Sequence, residues 1–255
     1  MTLQMQGRIA VVTGGASGIG LDATRLLAAA GAKVAIADLN AKAAESSAAA
    51  LRDQGMDVLG FGCDVGDEAS VGALGEAVAT ALGRVDALFN NAGIADFGSV
   101  DDTDLRSFDR IMSVNVTGTF LVSKAFLPGM LAGGRGAIVN VGSVAGLVGI
   151  PKMAAYCAAK GAVINLSRQM AAEYSARGVR VNCICPGTVA TTGMGQQLVG
   201  SDNSPEAQAR RISKYPIGRF GKPAEIAQVA AFLLSDQASF MTGSIVSVDG
   251  GMTTV

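Results

Sequence analysis

Seven short apolar runs, separated by longer stretches of helical period, constrain the fold of this chain more than any other feature of it. The runs cover residues 9–12, 34–37, 58–62, 87–90, 137–141, 179–184 and 245–248. The helix-period stretches cover 18–30, 41–53, 67–82, 104–130, 154–176 and 223–234. Strands joined through helices pair in parallel, each connection being a right-handed crossover. The runs are almost continuously apolar rather than alternating, as burial on both faces requires. Together they predict an α/β fold, doubly wound, with a seven-stranded parallel sheet and helices on both faces.

No Pro- or Ser-rich linker breaks this alternation and no internal repeat is present, so residues 1–255 read as a single domain. The apolar share is 49%, with only 5% aromatic residues and 34 glycines, which suits small-residue strands joined by tight turns. The stretch 188–220 departs from the pattern, carrying Gly, Ser, Asn and Pro around a short helical piece at 205–214. It follows the sixth strand, at the carboxyl edge where ligands of open α/β sheets bind, and reads as a substrate-binding lid.

Several function classes are excluded by composition. The formal net charge is −1, with 20 basic and 21 acidic residues spread along the chain. No basic stripe is present to hold a phosphate backbone, so no nucleic-acid partner is expected. The N-terminal MTLQMQGRIA lacks the apolar run and small-residue cleavage site of a signal peptide. No stretch approaches the roughly 18 uninterrupted apolar residues of a membrane span, so the expectation is a cytoplasmic protein with no membrane partner. Cys63, Cys157, Cys183 and Cys185 fit no zinc spacing and read as reduced, buried small hydrophobes. The sequence contains no histidine, which removes Ser-His-Asp hydrolysis, His-containing zinc sites and imidazole acid–base catalysis together. Proton transfer must fall to Tyr, Lys, Asp, Glu, Cys or a hydroxyl.

The first run leads into Thr13-Gly14-Gly15-Ala16-Ser17-Gly18-Ile19-Gly20 and then a helical stretch. Glycines there let backbone N–H groups approach a pyrophosphate, and the helix N-terminus adds a favourable dipole. Strand before, helix after and an acid further on make the Rossmann-type reading a strong one. That acid is Asp38, ending the second run 18 residues beyond Gly20. Its carboxylate can accept hydrogen bonds from the adenosine ribose and would repel a 2′-phosphate; neither Ser17 nor Leu39 supplies a compensating cation. NAD rather than NADP is therefore expected. Asp38 can alternatively cap the next helix, although Asn40 can fill that role. Asp64, in Cys63-Asp64-Val65 after the third run, is placed either to bond the adenine amino group or to cap the helix that follows. Asn90-Asn91-Ala92-Gly93 ends the fourth run: its small residues allow close passage of a cofactor, and one of the two amides is expected to be structural.

Tyr156-Cys157-Ala158-Ala159-Lys160 opens the long helix at 154–176. Residues i and i+4 share a face, so phenol and ammonium point into the same space. A phenol is a poor base at neutral pH, and a neighbouring cation is expected to pull its pKa down. Ser143, just past the fifth run, falls at the same sheet edge, able to hydrogen-bond a substrate oxygen.

With these motifs in this order the chain resembles the short-chain dehydrogenase/reductase family, in its single-domain form, over essentially its whole length. The resemblance rests on Thr-Gly-x-x-x-Gly-Ile-Gly at 13–20, Asn-Asn-Ala-Gly at 90–93, Asn115 in Val114-Asn115-Val116, Ser143, and the Tyr156/Lys160 pair. Pro186-Gly187 after the sixth run and Asp249-Gly250-Gly251 near the C-terminus complete it. It implies that Tyr156 is the general acid–base, that Ser143 polarises the substrate oxygen, and that Lys160 also binds the nicotinamide ribose. Asn115 would hold a water linking Lys160 to solvent, although the same amide can serve a helix kink. Thr191 matches the position contacting the nicotinamide carboxamide, with Val189 in the same loop, and Ile19 the one beneath the ring. The implied reaction is hydride transfer between NAD(H) and a small-molecule secondary alcohol or ketone. The implied assembly is a homotetramer, built through the helices at 104–130 and 154–176, with the C-terminal segment reaching a neighbour.

Substrate residues lie outside the motifs. Val144, Ala145, Pro151, Met153, Gly187, Met194 and Leu198 are mostly apolar and favour a hydrophobic substrate. Arg210, Arg211 and Lys214 read as a solvated helix face, with an anionic substrate as the alternative. Two rival functions remain open: a 3-oxoacyl-[acyl-carrier-protein]-type reductase, and a catalytically idle NAD-binding sensor.

Overall fold

The computed structural model describes residues 3–189 and 204–254. Each apolar run is a strand: β1 (Ile9–Thr13), β2 (Lys33–Asp38), β3 (Val58–Gly62), β4 (Ala87–Asn90), β5 (Gly136–Val141), β6 (Val179–Pro186) and β7 (Ile245–Val248). All pair in parallel, in the order β3-β2-β1-β4-β5-β6-β7. The helices are α1 (Gly18–Ala29), α2 (Ala41–Arg52), α3 (Glu68–Ala81), α4 (Leu105–Met112) and α5 (Gly118–Ala132), followed by α6 (Ala154–Tyr174), α7 (Pro205–Ile212) and α8 (Pro223–Leu234).

Successive strand residues point to opposite faces, and here both faces are apolar. On one side Val12, Ile36, Phe89 and Val139 pack against Leu27 of α1, Leu51 of α2 and Leu233 of α8. On the other, Val11, Ala35, Leu88 and Ile138 meet Leu74 of α3, Phe126 of α5 and Met170 of α6. Full burial of such side chains contributes about 1.5–3 kcal/mol each, which is why continuous apolar runs settle in the middle layer. β6 continues two residues past the expected end because Cys185 and Pro186 pair with Ser247 and Val248.

The helix expected over 104–130 is interrupted. Between α4 and α5 a π turn spans Ser113–Thr117, with the buried Asn115 at its centre. The Asn115 Nδ2 donates to the carbonyls of Ile111 and Ile94, both at 2.9 Å. That inward amide accompanies the widened turn, as side-chain insertion into a helix ladder commonly does. Among the described residues, Leu105–Ala132 is the one helix long and apolar enough to cross a membrane. Its Leu121, Val122, Phe126 and Met130 are instead buried against the sheet.

Candidate active site

The strand order reverses between β1 and β4: the chain leaves β1 towards β2 on one side and β4 towards β5 on the other. The crevice this opens at the carboxyl ends of the strands is a cleft of about 570 Å³. Gly14, Ser17, Gly18 and Ile19 of the glycine-rich turn line it, with Asp38 and Leu39, Asp64 and Val65, and Asn91, Ala92 and Gly93 from the next three strand ends. Ser143, Tyr156, Lys160, Pro186, Gly187 and Val189 complete the same wall. Two expected residues sit behind it. Gly20 packs under the turn, where a Cβ would collide with the Gly14 carbonyl oxygen, and Asn115 is buried behind Gly93. Thr191, Met194 and Leu198 lie outside the described residues, as does much of the expected lid.

The turn has the form of a phosphate cradle. Gly14 and Gly18 take φ of +60° and +53°, a conformation natural to glycine. A Cβ on Gly14 would also come within 3.0 Å of the Ala92 Cα. β4 clamps the turn: the Asn91 Nδ2 donates to the Thr13 and Gly14 carbonyls at 3.0 and 3.1 Å. The Thr13 hydroxyl accepts from the N–H groups of Asn91 and Ala92. Ser17 precedes α1 without a side-chain cap bond, so the helix start opens towards the cleft. These features fit a dinucleotide pyrophosphate.

The alternatives left open for the acids resolve in the geometry. Asn40, not Asp38, caps α2 through the Ala43 N–H. The Asp38 carboxylate accepts from the N–H groups of Ala16 and Asn40 and still faces the cleft. Asp67 caps α3 through Ser70, while Asp64 accepts from the Gly66 N–H and lines the cleft. Both amides of the pair are structural rather than one: Asn90 is tied to Ser123 and Asn140 in the interior, and Asn91 holds the turn.

Ser143, two residues past β5, caps a single 3-10 turn, Val144–Gly146, by accepting from the Ala145 N–H. Gly146 fits this turn against α6: a Cβ there would lie 2.6 Å from the Lys160 carbonyl carbon. The contact brings Ser143 to the first turns of α6, where Tyr156 and Lys160 are buried. The Lys160 Nζ donates to the Val141 carbonyl at 2.8 Å and lies 5.5 Å from the centre of the Tyr156 ring. Burial pushes the Tyr156 phenol up to about 12, against the lowering effect of its hydrogen bond with Ser143. Burial also takes the Lys160 ammonium down to about 8. The expected lowering of the tyrosine pKa by lysine is thus not what the protein chain alone produces: desolvation dominates, and the opposing contribution comes from Ser143. Behind both, Gly93 leaves room at the back wall: a Cβ there would be 2.7 Å from Asn115 Oδ1 and 3.5 Å from Lys160 Nζ. Asn115 Oδ1 is buried and takes no hydrogen bond among the described residues.

Val144, Ala145, Pro151, Met153 and Gly187 reach the cleft as expected. The structure separates the three cations of the α7 region: Arg211 and Lys214 line the cleft, whereas Arg210 is exposed and does not. Phe97, Tyr215, Phe220 and Met252 also border it, and no motif pointed to them. Cys63, Cys183 and Cys185 are buried, Cys157 is half-buried, and all four are free thiols.

The family model described as "Enoyl-(Acyl carrier protein) reductase" matches residues 14–253. The chain is 59% identical over 255 residues, the full length of both, to 2-(S)-hydroxypropyl-CoM dehydrogenase 3 of Xanthobacter autotrophicus. It is 61% identical over 226 residues, 89% of this chain and 97% of the relative, to an "Inactive 2-(S)-hydroxypropyl-CoM dehydrogenase 2" of the same organism. A gluconate 5-dehydrogenase from Burkholderia cenocepacia, solved with NADP and tartrate, superposes with a TM-score of 0.93 at 34% identity, covering 100% of this chain and 98% of that one.

Proposed function

The chain belongs to the short-chain dehydrogenase/reductase family of oxidoreductases acting on CH–OH groups, and from that premise we propose that its cofactor is NAD and its substrate a secondary alcohol whose apolar body ends in an anion. The observation that carries the substrate reading is that Arg211 and Lys214 share one cleft with Ser143 and Tyr156. The rest of the substrate wall is mostly apolar, in keeping with a hydrophobic body between the two. A hydroxypropyl thioether of coenzyme M, whose other end is a sulfonate, has this form, and a full-length relative is named for such a substrate.

In this reading Gly14, Ser17 and Gly18 hold the pyrophosphate end of the dinucleotide, with Gly20 keeping α1 close beneath them and Ile19 under the nicotinamide ring. Asp38 and Leu39 take the adenosine ribose, Asp64 and Val65 the adenine. Asn91, Ala92, Gly93, Pro186, Gly187 and Val189 border the nicotinamide end, to which the family resemblance also assigns Thr191. When bound, NAD supplies the hydride acceptor. Ser143 Oγ hydrogen-bonds the substrate oxygen, and Tyr156 Oη takes the hydroxyl proton in oxidation or returns it in reduction. Lys160 holds the ribose, and Asn115 Oδ1 holds a water through which the proton passes outwards. Asp38 supports NAD because a 2′-phosphate beside it would meet a carboxylate.

The test follows the absorbance of reduced nicotinamide with NAD and with NADP, on 2-hydroxypropyl-thioethanesulfonate and on an uncharged thioether of equal length. The expected result is turnover that prefers NAD and prefers the sulfonate by at least about tenfold, the scale of one charge-assisted hydrogen bond. NADP preference would overturn the cofactor assignment, and equal use of both alcohols the anionic one. Activity only on acyl-carrier-protein thioesters would favour a reductase of that kind, and dinucleotide binding without any turnover an idle sensor. We also propose that the enzyme is a cytoplasmic homotetramer, supported by the exposed Val100, Leu105 and Phe120 beside and along α4 and α5. Light scattering that shows a monomer would reject the assembly.

A further inference from the structure

The last described residues form a turn that borders the cleft. Asp249, just after β7, accepts hydrogen bonds from the Gly251 N–H at 3.0 Å, the Thr253 N–H at 2.9 Å and the Thr253 hydroxyl at 2.7 Å. Gly250 and Gly251, with φ of +62° and +85°, reverse the chain within this clasp. The turn is wedged between the segment that follows Tyr215 and the cleft wall at Gly187. On one side the Gly250 carbonyl accepts from the Ile217 N–H at 3.1 Å. On the other, a Cβ at Gly187 would stand 3.1 Å from the Asp249 Cα. Tyr215 ties these parts together, its hydroxyl donating to Thr188 Oγ1 at 2.7 Å and accepting from the Thr188 N–H. Clasp and wedge together present Met252 to the cleft that holds Tyr156 and Arg211.

We propose that this C-terminal turn is a specificity element of the enzyme: Met252 limits the size of the apolar group on the carbinol carbon, and Asp249 is the positioning residue that keeps it there. In such a pocket one methylene more or less changes kcat/KM by about tenfold or more. The clasp matters because a wall that could swing away would discriminate nothing. Asp249 touches no substrate and acts only through the turn it closes.

The inference rests on the reading of the cleft as a dehydrogenase site. Its test uses 2-oxoalkyl thioethers of ethanesulfonate with methyl, ethyl, propyl or butyl on the carbonyl, offered to the NADH-loaded enzyme. Turnover and the change in bound-NADH fluorescence are both recorded. Met252→Ala is expected to raise kcat/KM for the larger members about tenfold relative to methyl, Met252→Phe to lower it, and both to leave the NADH Kd unchanged. Asp249→Asn is expected to flatten the size order in the same direction as Met252→Ala, which a merely structural loss of stability would not do. A size order identical in wild type and both Met252 variants would overturn the proposal. Fluorescence that keeps the expected order without turnover would defeat the dehydrogenase reading and leave the wall standing, and no binding of any member would overturn both.

Discussion

Lys160 is a cation buried where its own desolvation works against it, and this has a measurable consequence. Its pKa is taken down to about 8 in the folded chain, from an ordinary value of 10.5. Below pH 8 the lysine is charged in both states and the folded state bears the cost of burying it. Between 8 and 10.5 the unfolded chain holds more protons, so stability rises with pH across that window. Tyr156, pushed up to about 12, has the opposite sign: above pH 10 the unfolded phenol ionises first and stability falls. Lys160→Met should therefore be more stable than wild type near neutrality, with the gap closing by roughly 2 to 3 kcal/mol by pH 10. Urea unfolding at several pH values measures this, and a constant gap would refute the buried charge. Tyr156→Phe should keep NADH affinity and lose about 10² to 10⁴ in kcat, the usual share of a positioned acid–base group; near-normal turnover would remove Tyr156 from the reaction. Tyr156, Lys160, Ser143 and Asp38 were legible in the sequence because helical spacing and strand ends are local properties. Arg211 and Lys214 were legible only as the alternative to a solvated helix face and Met252 not at all, because only tertiary packing carries α7 and the C-terminal turn to the cleft.

At the scale of elements, one contact decides whether serine and tyrosine meet. The 3-10 turn after β5 lies on α6 at Gly146, where a Cβ would press on the Lys160 carbonyl carbon and oxygen at 2.6 and 2.7 Å. Backbone cannot step aside as a side chain can, so Gly146→Ala must separate the turn from the helix. The expected cost is about 1–3 kcal/mol of stability, as for other overpacked sites. A fall in kcat should accompany it, since Ser143 moves away from Tyr156. Gly149→Ala is the control: a Cβ there meets nothing within 4 Å, and the change should stay within about 0.5 kcal/mol with kcat intact. Equal behaviour of the two variants in thermal melts and turnover would remove the contact from the mechanism. The elements themselves were legible almost to the residue, because period and breaker residues mark them. The π turn at 113–117 was hidden, since widening one turn hardly disturbs the apolar period of a 28-residue stretch. Its only trace was Asn115, a polar residue that is buried in the fold.

Both core layers run past the point where the strand order reverses. One joins Ile36 of β2 to Phe89 of β4 and Val139 of β5; the other joins Ala35 and Val11 to Leu88 and Ile138. The halves on either side of the cleft thus share their apolar packing as well as the β1–β4 ladder. A chain built this way should unfold as one cooperative unit, in a single calorimetric transition. The proposed NADH site draws on both halves, taking Gly14 and Asp38 from one and Tyr156 and Gly187 from the other. Ligand present at 100 times its Kd contributes about 2.7 kcal/mol to the native state. For a chain of this size that corresponds to a rise in Tm of roughly 5–10 °C. Scanning calorimetry with and without NADH should show a single transition displaced as a whole. A transition that splits, with one component unmoved by NADH, would mean that β4–β7 folds apart from β1–β3. A single transition that does not move would mean that the cleft is not the dinucleotide site.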